Sequence, residues 1–221
     1  MRDLTTILEA SFYTEPLMII CALLAFFIGI IHKNKFKELR FMPLYALSSI
    51  VQISSLYYAI FYNPKMDFDL ERMTSNIFIV VESAVLYNFF SKVIVIKSLK
   101  TIVNILFLAF VAYVILLWSL SNSFYHHPAR LYLPEALCIL GFCFVYFFQL
   151  FRLPPKLLLL TSPTFWVTTG CLFYFSCTIP LFFVELMFPL PTKIFAINYF
   201  AYSVFFLLIA KSFLCQPALA K

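Results

Sequence analysis

Long apolar runs alternate along the chain with short breaks of charged residues or proline. Cutting the chain at these breaks leaves seven apolar segments, at about 16–32, 42–62, 73–96, 101–121, 132–151, 162–188 and 194–214. Each segment is close to the roughly 20 residues that a helix needs to cross a bilayer. The runs are continuous rather than alternating, which favours helices over a β-barrel. The pattern therefore predicts an all-α integral membrane protein, folded as a seven-transmembrane helix bundle.

The composition agrees with this class. Hydrophobic residues make up 63% of the 221 residues and charged residues 12%, far from the balance of soluble domains. We expect an external N-terminal arm at 1–15, a transmembrane domain at 16–214 and a short cytoplasmic tail at 215–221. The arm ends without a small-residue cleavage site, so it does not resemble a signal peptide.

Lysine and arginine collect in alternate loops, and this asymmetry predicts the orientation. The loops after segments 1, 3 and 5, together with the tail, hold Lys33, Lys35, Lys37, Arg40, Lys92, Lys97, Lys100, Arg152, Lys156, Lys211 and Lys221. The opposite side holds Arg2, Lys65, Arg72, Arg130 and Lys193. Eleven against five predicts an external N-terminus and a cytoplasmic C-terminus. The net charge of +6 then indicates attraction to anionic membrane lipids and no role in nucleic-acid binding.

Polar side chains inside the apolar segments are the candidate ligand-binding residues, because each is expensive in lipid. Glu82 lies about ten residues from the outer end of the third segment, near mid-bilayer. An ionised carboxylate there costs several kcal/mol unless it is paired, so we expect it to be protonated, hydrogen-bonded or beside a cavity. Gln52 shares one helical stripe with Ser48 and Ser55, and this stripe must face other helices or water.

Glu135 has two interpretations. It follows Pro134 at the expected start of the fifth helix, where a carboxylate in the first turn complements the helix dipole; the alternative is a second carboxyl group at the ligand site. Glu185 is expected at the outer interface. Four amide side chains are expected to form hydrogen bonds between helices: Gln149, Asn88, Asn104 and Asn198.

The sixth segment combines small, polar and aromatic residues on one side. Trp166, Gly170, Tyr174 and Cys177 fall near one line of the helix, which predicts that this side faces the bundle interior and that Gly170 allows close approach. Trp166 also suits an aromatic belt at the cytoplasmic interface. Pro180 is expected to kink the helix, either as a packing feature or as a functional hinge.

Catalytic and metal-binding patterns are missing from the apolar segments. No Ser/His pair, paired aspartates or HExxH motif lies within the bundle, and the six cysteines lack CxxC spacing. We therefore expect a non-enzyme without cofactor or metal, whose cysteines serve packing. Lys211 as a retinal-binding lysine is disfavoured, because it lies about one turn from the cytoplasmic end, where a lysine simply extends to the interface.

Four stretches carry a resemblance to a known kind of protein. They are "VESAVLYNFF", "PEALCILGFCFVYFFQLF", "SPTFWVTTGCLFYFS" and "INYFAYSVFFLLIAKSFL". In this layout the chain resembles small seven-transmembrane proteins of Bacteroidota-type bacteria, which are similar to membrane sensor modules fused to, or encoded beside, histidine kinases. The resemblance implies a bacterial inner-membrane location. Because the chain ends soon after the seventh segment, it also implies output through a partner, a histidine kinase or another signalling protein.

Two functions of different class are consistent with these observations. The first is a receptor-like sensor that binds a small or lipidic ligand in the bundle and passes a conformational change to its partner. Its expected binding residues are Glu82, Gln52, Glu135, Trp166, Tyr174 and Asn198, with Pro180 as the hinge. The second is a proton-coupled transporter, or a transporter subunit, in which Glu82 gains and loses a proton.

Overall fold

All regular secondary structure in the described part of the chain is helical. A computed structural model describes the backbone of residues 4–32, 34–62, 68–121, 128–152, 159–188, 194 and 196–215, and the side chains of 14–32, 34–55, 72–119, 128–152, 159–188, 194 and 196–215. The α-helices are α1 (Leu4–His32), α2 (Met42–Tyr62), α3 (Phe68–Val93), α4 (Lys97–Ser121), α5 (Ala129–Arg152), α6 (Pro163–Met187) and α7 (Ala196–Leu214). A short 3-10 turn, Leu159–Thr161, precedes α6.

Six of these helices are long and apolar enough to cross a membrane. The candidate spans are Thr14–His32, Arg72–Val93, Lys97–Ser119, Ala129–Arg152, Pro163–Met187 and Ala196–Leu214. The side chains of α2 are described only from 42 to 55, a stretch shorter than one span. The prediction of a multi-pass helical membrane protein is therefore confirmed, with six spans identified among the seven helices.

The helices pack as a closed ring. Its contacts run from α1 to α2, α2 to α3, α3 to α5, α5 to α6, α6 to α7, and α7 back to α1. The main contacts of α4 are with the outside of α3 and α5, and only 17% of its span is buried, against 50% for α5 and for α7. Six helices therefore share one interior, and α4 packs against its wall.

Two helices begin earlier than the proline pattern predicts. Pro16 lies inside α1 and Pro134 inside α5, although both were expected at or near helix starts. Proline breaks one backbone hydrogen bond, and a helix in a membrane needs a substitute donor for the freed carbonyl. In α5 that carbonyl belongs to Arg130, and the hydroxyl of Tyr113 in α4 donates to it at 3.1 Å. This bond from a neighbouring helix accounts for the longer α5.

A buried glutamine side chain holds the turn between α3 and α4. The Gln149 Oε1 atom accepts from the backbone N–H of Val95 at 2.8 Å and of Ile96 at 3.1 Å. Its Nε2 atom donates to the backbone carbonyl of Val93 at 3.2 Å. The predicted interhelical role of Gln149 is therefore confirmed, and Asn104 is confirmed likewise, because it accepts from the hydroxyl of Tyr87 at 3.1 Å.

Basic residues and aromatic rings meet at one end of the ring, here called the basic end. Four cations lie over rings, with distances to the ring centroid of 5.4 Å for Lys35 and Phe36, 5.0 Å for Lys92 and Phe41, 4.4 Å for Arg152 and Phe148, and 6.0 Å for Lys211 and Trp166. The second pair joins the end of α3 to the start of α2, and the last joins the end of α7 to the start of α6. Such contacts stabilise cations beside aromatic surface.

Candidate functional site

A chain of hydroxyl groups leads to a buried carboxyl group in the interior of the ring. The Tyr45 hydroxyl of α2 lies 2.6 Å from Glu82 Oε1 of α3 and 2.7 Å from the Tyr202 hydroxyl of α7. Ser49 Oγ lies 2.9 Å from the same Tyr202 oxygen and 3.1 Å from the backbone carbonyl of Tyr45. Tyr45 and Glu82 are 0% and 1% exposed, so this hydroxyl chain is shielded from the surroundings of the bundle.

The hydroxyl chain can hold Glu82 with or without a proton. A tyrosine hydroxyl has one proton to donate and lone pairs that accept. When Glu82 is ionised, Tyr202 donates to Tyr45 and Tyr45 donates to Glu82. When Glu82 carries a proton, it donates to Tyr45, which donates to Tyr202, which donates to Ser49. Every hydroxyl is satisfied in both arrangements, so the change of charge requires only the rotation of O–H bonds.

Aromatic rings pack around this chain from α6 and α7. The ring of Tyr174 stacks on that of Tyr202 with centroids 4.5 Å apart and planes inclined by 16°. Phe205 stacks on the Tyr174 ring at 5.7 Å, and Phe206 lies 4.7 Å from Tyr202. Gly170 makes this packing possible, because a Cβ atom there would lie 2.7 Å from the Phe205 ring. The predicted interior face and close approach at Gly170 are confirmed.

A second carboxyl group, that of Glu135, completes the candidate site. It is 0% exposed, and neither of its oxygens has a hydrogen-bond partner within the described part of the chain. Glu135 lies on α5, three residues after Tyr132, and α5 contacts α3, which carries Glu82, so both buried carboxyl groups belong to the same interior and influence each other electrostatically. The interpretation of Glu135 as a first-turn carboxylate is wrong, because α5 begins at Ala129 and its first turn contains no acidic residue. We refer to Glu82 and Glu135 as the carboxyl pair.

Tyr132 and Thr178 connect α5 to α6 beside this pair. Their hydroxyls form a short hydrogen bond, and Thr178 also donates to the backbone carbonyl of Tyr174 at 2.9 Å. The Tyr132 ring packs on Phe182 with centroids 4.0 Å apart. Pro180, the expected hinge, lies between Thr178 and Phe182, and α6 continues through it to Met187.

The remaining predicted site residues lie away from this cluster. Gln52 is half-buried, and its Nε2 atom lies 3.4 Å from Ser75 Oγ, joining α2 to α3. Trp166 donates from its indole N–H to the backbone carbonyl of Leu160 at 2.8 Å, at the basic end. Asn198 is half-buried near the start of α7, and its carbonyl oxygen is buried without a hydrogen-bond partner among the described residues. The structure thus joins Glu82, Glu135 and Tyr174 and separates the other three.

Sequence reasoning missed five residues of the site: Tyr45, Ser49, Tyr132, Thr178 and Tyr202. Their hydroxyls are the hydrogen-bonding groups around the carboxyl pair. A weak signal was present, since Tyr45 and Ser49 are four residues apart and therefore share a helix face. Thirteen tyrosines in the chain dilute that signal.

A metal site or a disulfide would need suitable side chains close together among the described residues. Within the described ranges, no group of three His, Cys, Asp or Glu side chains is placed to hold a metal ion. All six cysteines are free, and five are buried, as packing residues would be. The adjacent histidines His126 and His127, whose side chains could in principle bind a metal ion, lie outside the described residues.

Comparisons of the chain with protein families, curated proteins and solved structures gave no match. The fold and the site therefore define the class alone: a multi-pass helical membrane protein with an acidic, tyrosine-lined interior.

Proposed function

We propose that the protein is a receptor-like membrane sensor whose ligand binds in the ring interior at the carboxyl pair. The observation that carries this proposal is Glu135, a fully buried carboxyl group with two oxygens that lack a partner in the described structure, beside Glu82. Leaving a buried polar group unsatisfied costs about 1–3 kcal/mol. Proteins retain such costly groups mainly where binding or catalysis needs them. A small or lipidic ligand with a hydrogen-bond donor or a positive charge would satisfy Glu135.

The proposed ligand reaches the pair by a separation of α5 from α6. Both carboxyl groups are buried, so entry requires movement, and the Tyr132–Thr178 hydrogen bond is the contact that must open. Pro180 lies two residues further along α6 and supplies a position where that helix can bend. A ligand shifts this equilibrium only if its affinity differs between the closed and open arrangements.

The proposed output is at the basic end. Stacked rings of Tyr174 and Tyr202 join α6 to α7 beside the site, and Trp166 and Lys211 join the same helices at the basic end. The excess of lysine and arginine at this end favours a cytoplasmic location for it. We therefore propose that all seven helices span the membrane, with the N-terminus outside. We place the protein in a bacterial inner membrane with anionic lipids, and we propose a histidine kinase or another signalling protein as its partner.

A second candidate, proton-coupled transport, is favoured by the hydroxyl chain. This chain accommodates Glu82 in two protonation states without moving heavy atoms, which suits a group that gains and loses a proton in each cycle. Both candidates use the same carboxyl pair. They differ in the consequence of binding, which is a signal to a partner in the first case and flux across the membrane in the second.

Affinity purification of the tagged full chain in mild detergent, with mass spectrometry of co-purified proteins, tests the proposed function. We expect a histidine kinase or another signalling protein to co-purify with the native chain. A chain that is recovered alone, or with transport subunits, would contradict the sensor proposal.

The variant Glu82→Gln separates the two candidates. In proteoliposomes, a transporter should lose proton-dependent flux with this variant, whereas a sensor should show no flux in either form and a lost or locked signal. Glu185→Gln is the matched control, because Glu185 is a half-buried glutamate near the far end of α6.

A further inference from the structure

The carboxyl pair has no cation of the protein beside it in the described structure. The lysine and arginine side chains that the structure describes are exposed or half-buried, and they lie near helix ends or in the linker between α1 and α2. Two buried carboxyl groups in one poorly polar interior repel each other when both are ionised, and an ionised carboxylate without a partner costs several kcal/mol. Within the described part of the chain, no side chain supplies the positive charge that an ionised pair needs.

We propose that Glu82 and Glu135 together bind a compact monovalent cation of the ammonium class, which takes the place of one proton. This inference rests on the proposed function, because it names the chemical class of the ligand at the same site. The balance is simple: the pair releases one proton to the surroundings and binds one cation, so its net charge stays the same.

An ammonium group suits the free acceptors of this site better than a metal ion does. Hard metal cations such as Mg²⁺ and Ca²⁺ require about six or more oxygen ligands. The hydroxyls of Tyr45, Tyr202 and Ser49 already bond to one another and to Glu82 Oε1, so Glu82 contributes mainly its charge. The two oxygens of Glu135 have no hydrogen-bond partner among the described residues and are the acceptors for the cation. Two carboxylate oxygens are enough to accept the N–H donors of an ammonium group through charge-assisted hydrogen bonds.

The aromatic rings of the interior add to this preference. Tyr174, Tyr202, Phe205 and Phe206 form one continuous set of stacked or tilted rings beside the carboxyl pair. Ring faces attract cations, and organic ammonium ions are the ligands that combine best with aromatic surface and a nearby carboxylate.

Exchange for a proton predicts how binding depends on pH. Among the described residues, the titratable groups that interact electrostatically with the pair are phenols and thiols: Tyr45 on α2, Tyr132 and Cys138 on α5, Cys171 and Tyr174 on α6, and Tyr202 on α7. Phenols and thiols ordinarily keep their protons near pH 7. A proton and the cation compete for the carboxylates, so the apparent affinity should fall by about tenfold for each pH unit of acidification, as long as one proton is exchanged.

The experiment uses the full chain in nanodiscs of zwitterionic phosphatidylcholine, at constant ionic strength. Methylammonium is the probe, tetramethylammonium tests the need for N–H donors, and sodium is the reference cation. Binding is followed by calorimetry in buffers of different ionisation enthalpy, which also counts the protons released. We expect methylammonium to bind more tightly than both other cations and to release one proton.

Variants test the site itself. Glu135→Gln should weaken methylammonium binding by at least about tenfold, because it removes one charge-assisted hydrogen bond. The control Glu185→Gln should leave the binding unchanged. Glu135→Met provides a second variant of similar length, and its unfolding midpoint without probe verifies that it is folded. Equal binding of the three cations, or methylammonium binding that survives both Glu135 variants, would overturn the inference.

The two proposals fail in different ways. If a signalling partner co-purifies but methylammonium does not bind, the ligand class is wrong and the sensor proposal stands. If methylammonium binds through Glu135 but the proteoliposomes show cation–proton exchange and no partner co-purifies, the ligand class is right and the sensor proposal is wrong.

Discussion

Replacing Glu135 with methionine should make the protein more stable, although the residue is completely buried. Methionine is similar in length to glutamate and has no group that needs a hydrogen bond. In the native chain both carboxyl oxygens of Glu135 are buried without a partner in the described structure. Removing an unsatisfied buried polar group recovers about 1–3 kcal/mol, and it also removes the like-charged neighbour of Glu82.

Glu82 is the matched comparison for this prediction. It is equally buried, but it accepts a 2.6 Å hydrogen bond from Tyr45. Glu82→Met loses that bond, and a hydrogen bond to a charged group is worth about 1.5–3 kcal/mol. The free energy of unfolding should therefore be lower for Glu82→Met than for Glu135→Met, by at least about 1.5 kcal/mol.

Reversible unfolding in mixed micelles of a mild detergent and dodecyl sulfate measures both values. Tryptophan fluorescence reports the transition, since Trp118 and Trp166 are both half-buried. If Glu135→Met is no more stable than the native chain, or if the two variants have equal stability, then the Glu135 carboxyl group has stabilising partners. Glu135 would then not be an unsatisfied carboxyl group that requires a ligand.

Two further comparisons test the packing of the ring. Gly170→Ala should lower the free energy of unfolding by about 1–3 kcal/mol, because the new Cβ atom would lie 2.7 Å from the packed ring of Phe205. Gly141→Ala is the control and should cost less, because its Cβ atom would meet the flexible end of a leucine side chain at 2.9 Å. Unfolding midpoints in detergent measure both losses, and equal losses would contradict the prediction. Gln149→Leu removes three hydrogen bonds and should lower the free energy of unfolding by about 2 kcal/mol in the same assay. Asn104→Leu removes one hydrogen bond and should lower it by about a third as much. Equal losses would show that the α3–α4 turn does not depend on the Gln149 side chain.

The membrane class and the helix positions were readable from sequence because they depend on local properties. A continuous apolar run of bilayer length must form a helix to satisfy its backbone, whatever its neighbours are. The sixth segment was predicted to begin at about 162, and α6 begins at Pro163, in agreement with the preference of proline for the first turn. The start of α5 was misplaced because the hydroxyl that compensates for Pro134 comes from Tyr113 on another helix.

The candidate site was predictable only in part, for a related reason. A glutamate in the middle of an apolar segment is unusual at any position, so Glu82 was identified from its own surroundings. Tyrosine is ordinary in a membrane helix, and the roles of Tyr45 and Tyr202 arise only when α2 and α7 bring their hydroxyls together at 2.7 Å. That arrangement depends on which helices are neighbours in the ring, and the apolar pattern carries no such information.

The ring arrangement also explains why one site involves so many helices. Because α4 packs outside, α3 contacts α5 directly and brings Glu82 near Glu135. Close approach at Gly170 then lets the Tyr174 ring stack on the Tyr202 ring across α6 and α7. A change of charge at the carboxyl pair therefore acts on hydrogen bonds or ring contacts of five helices at once. Separation of α6 from α5 must break the Tyr132–Thr178 bond, and the stacked rings of Tyr174 and Tyr202 couple α6 to α7, which makes α6 the element best placed to transmit binding to the basic end.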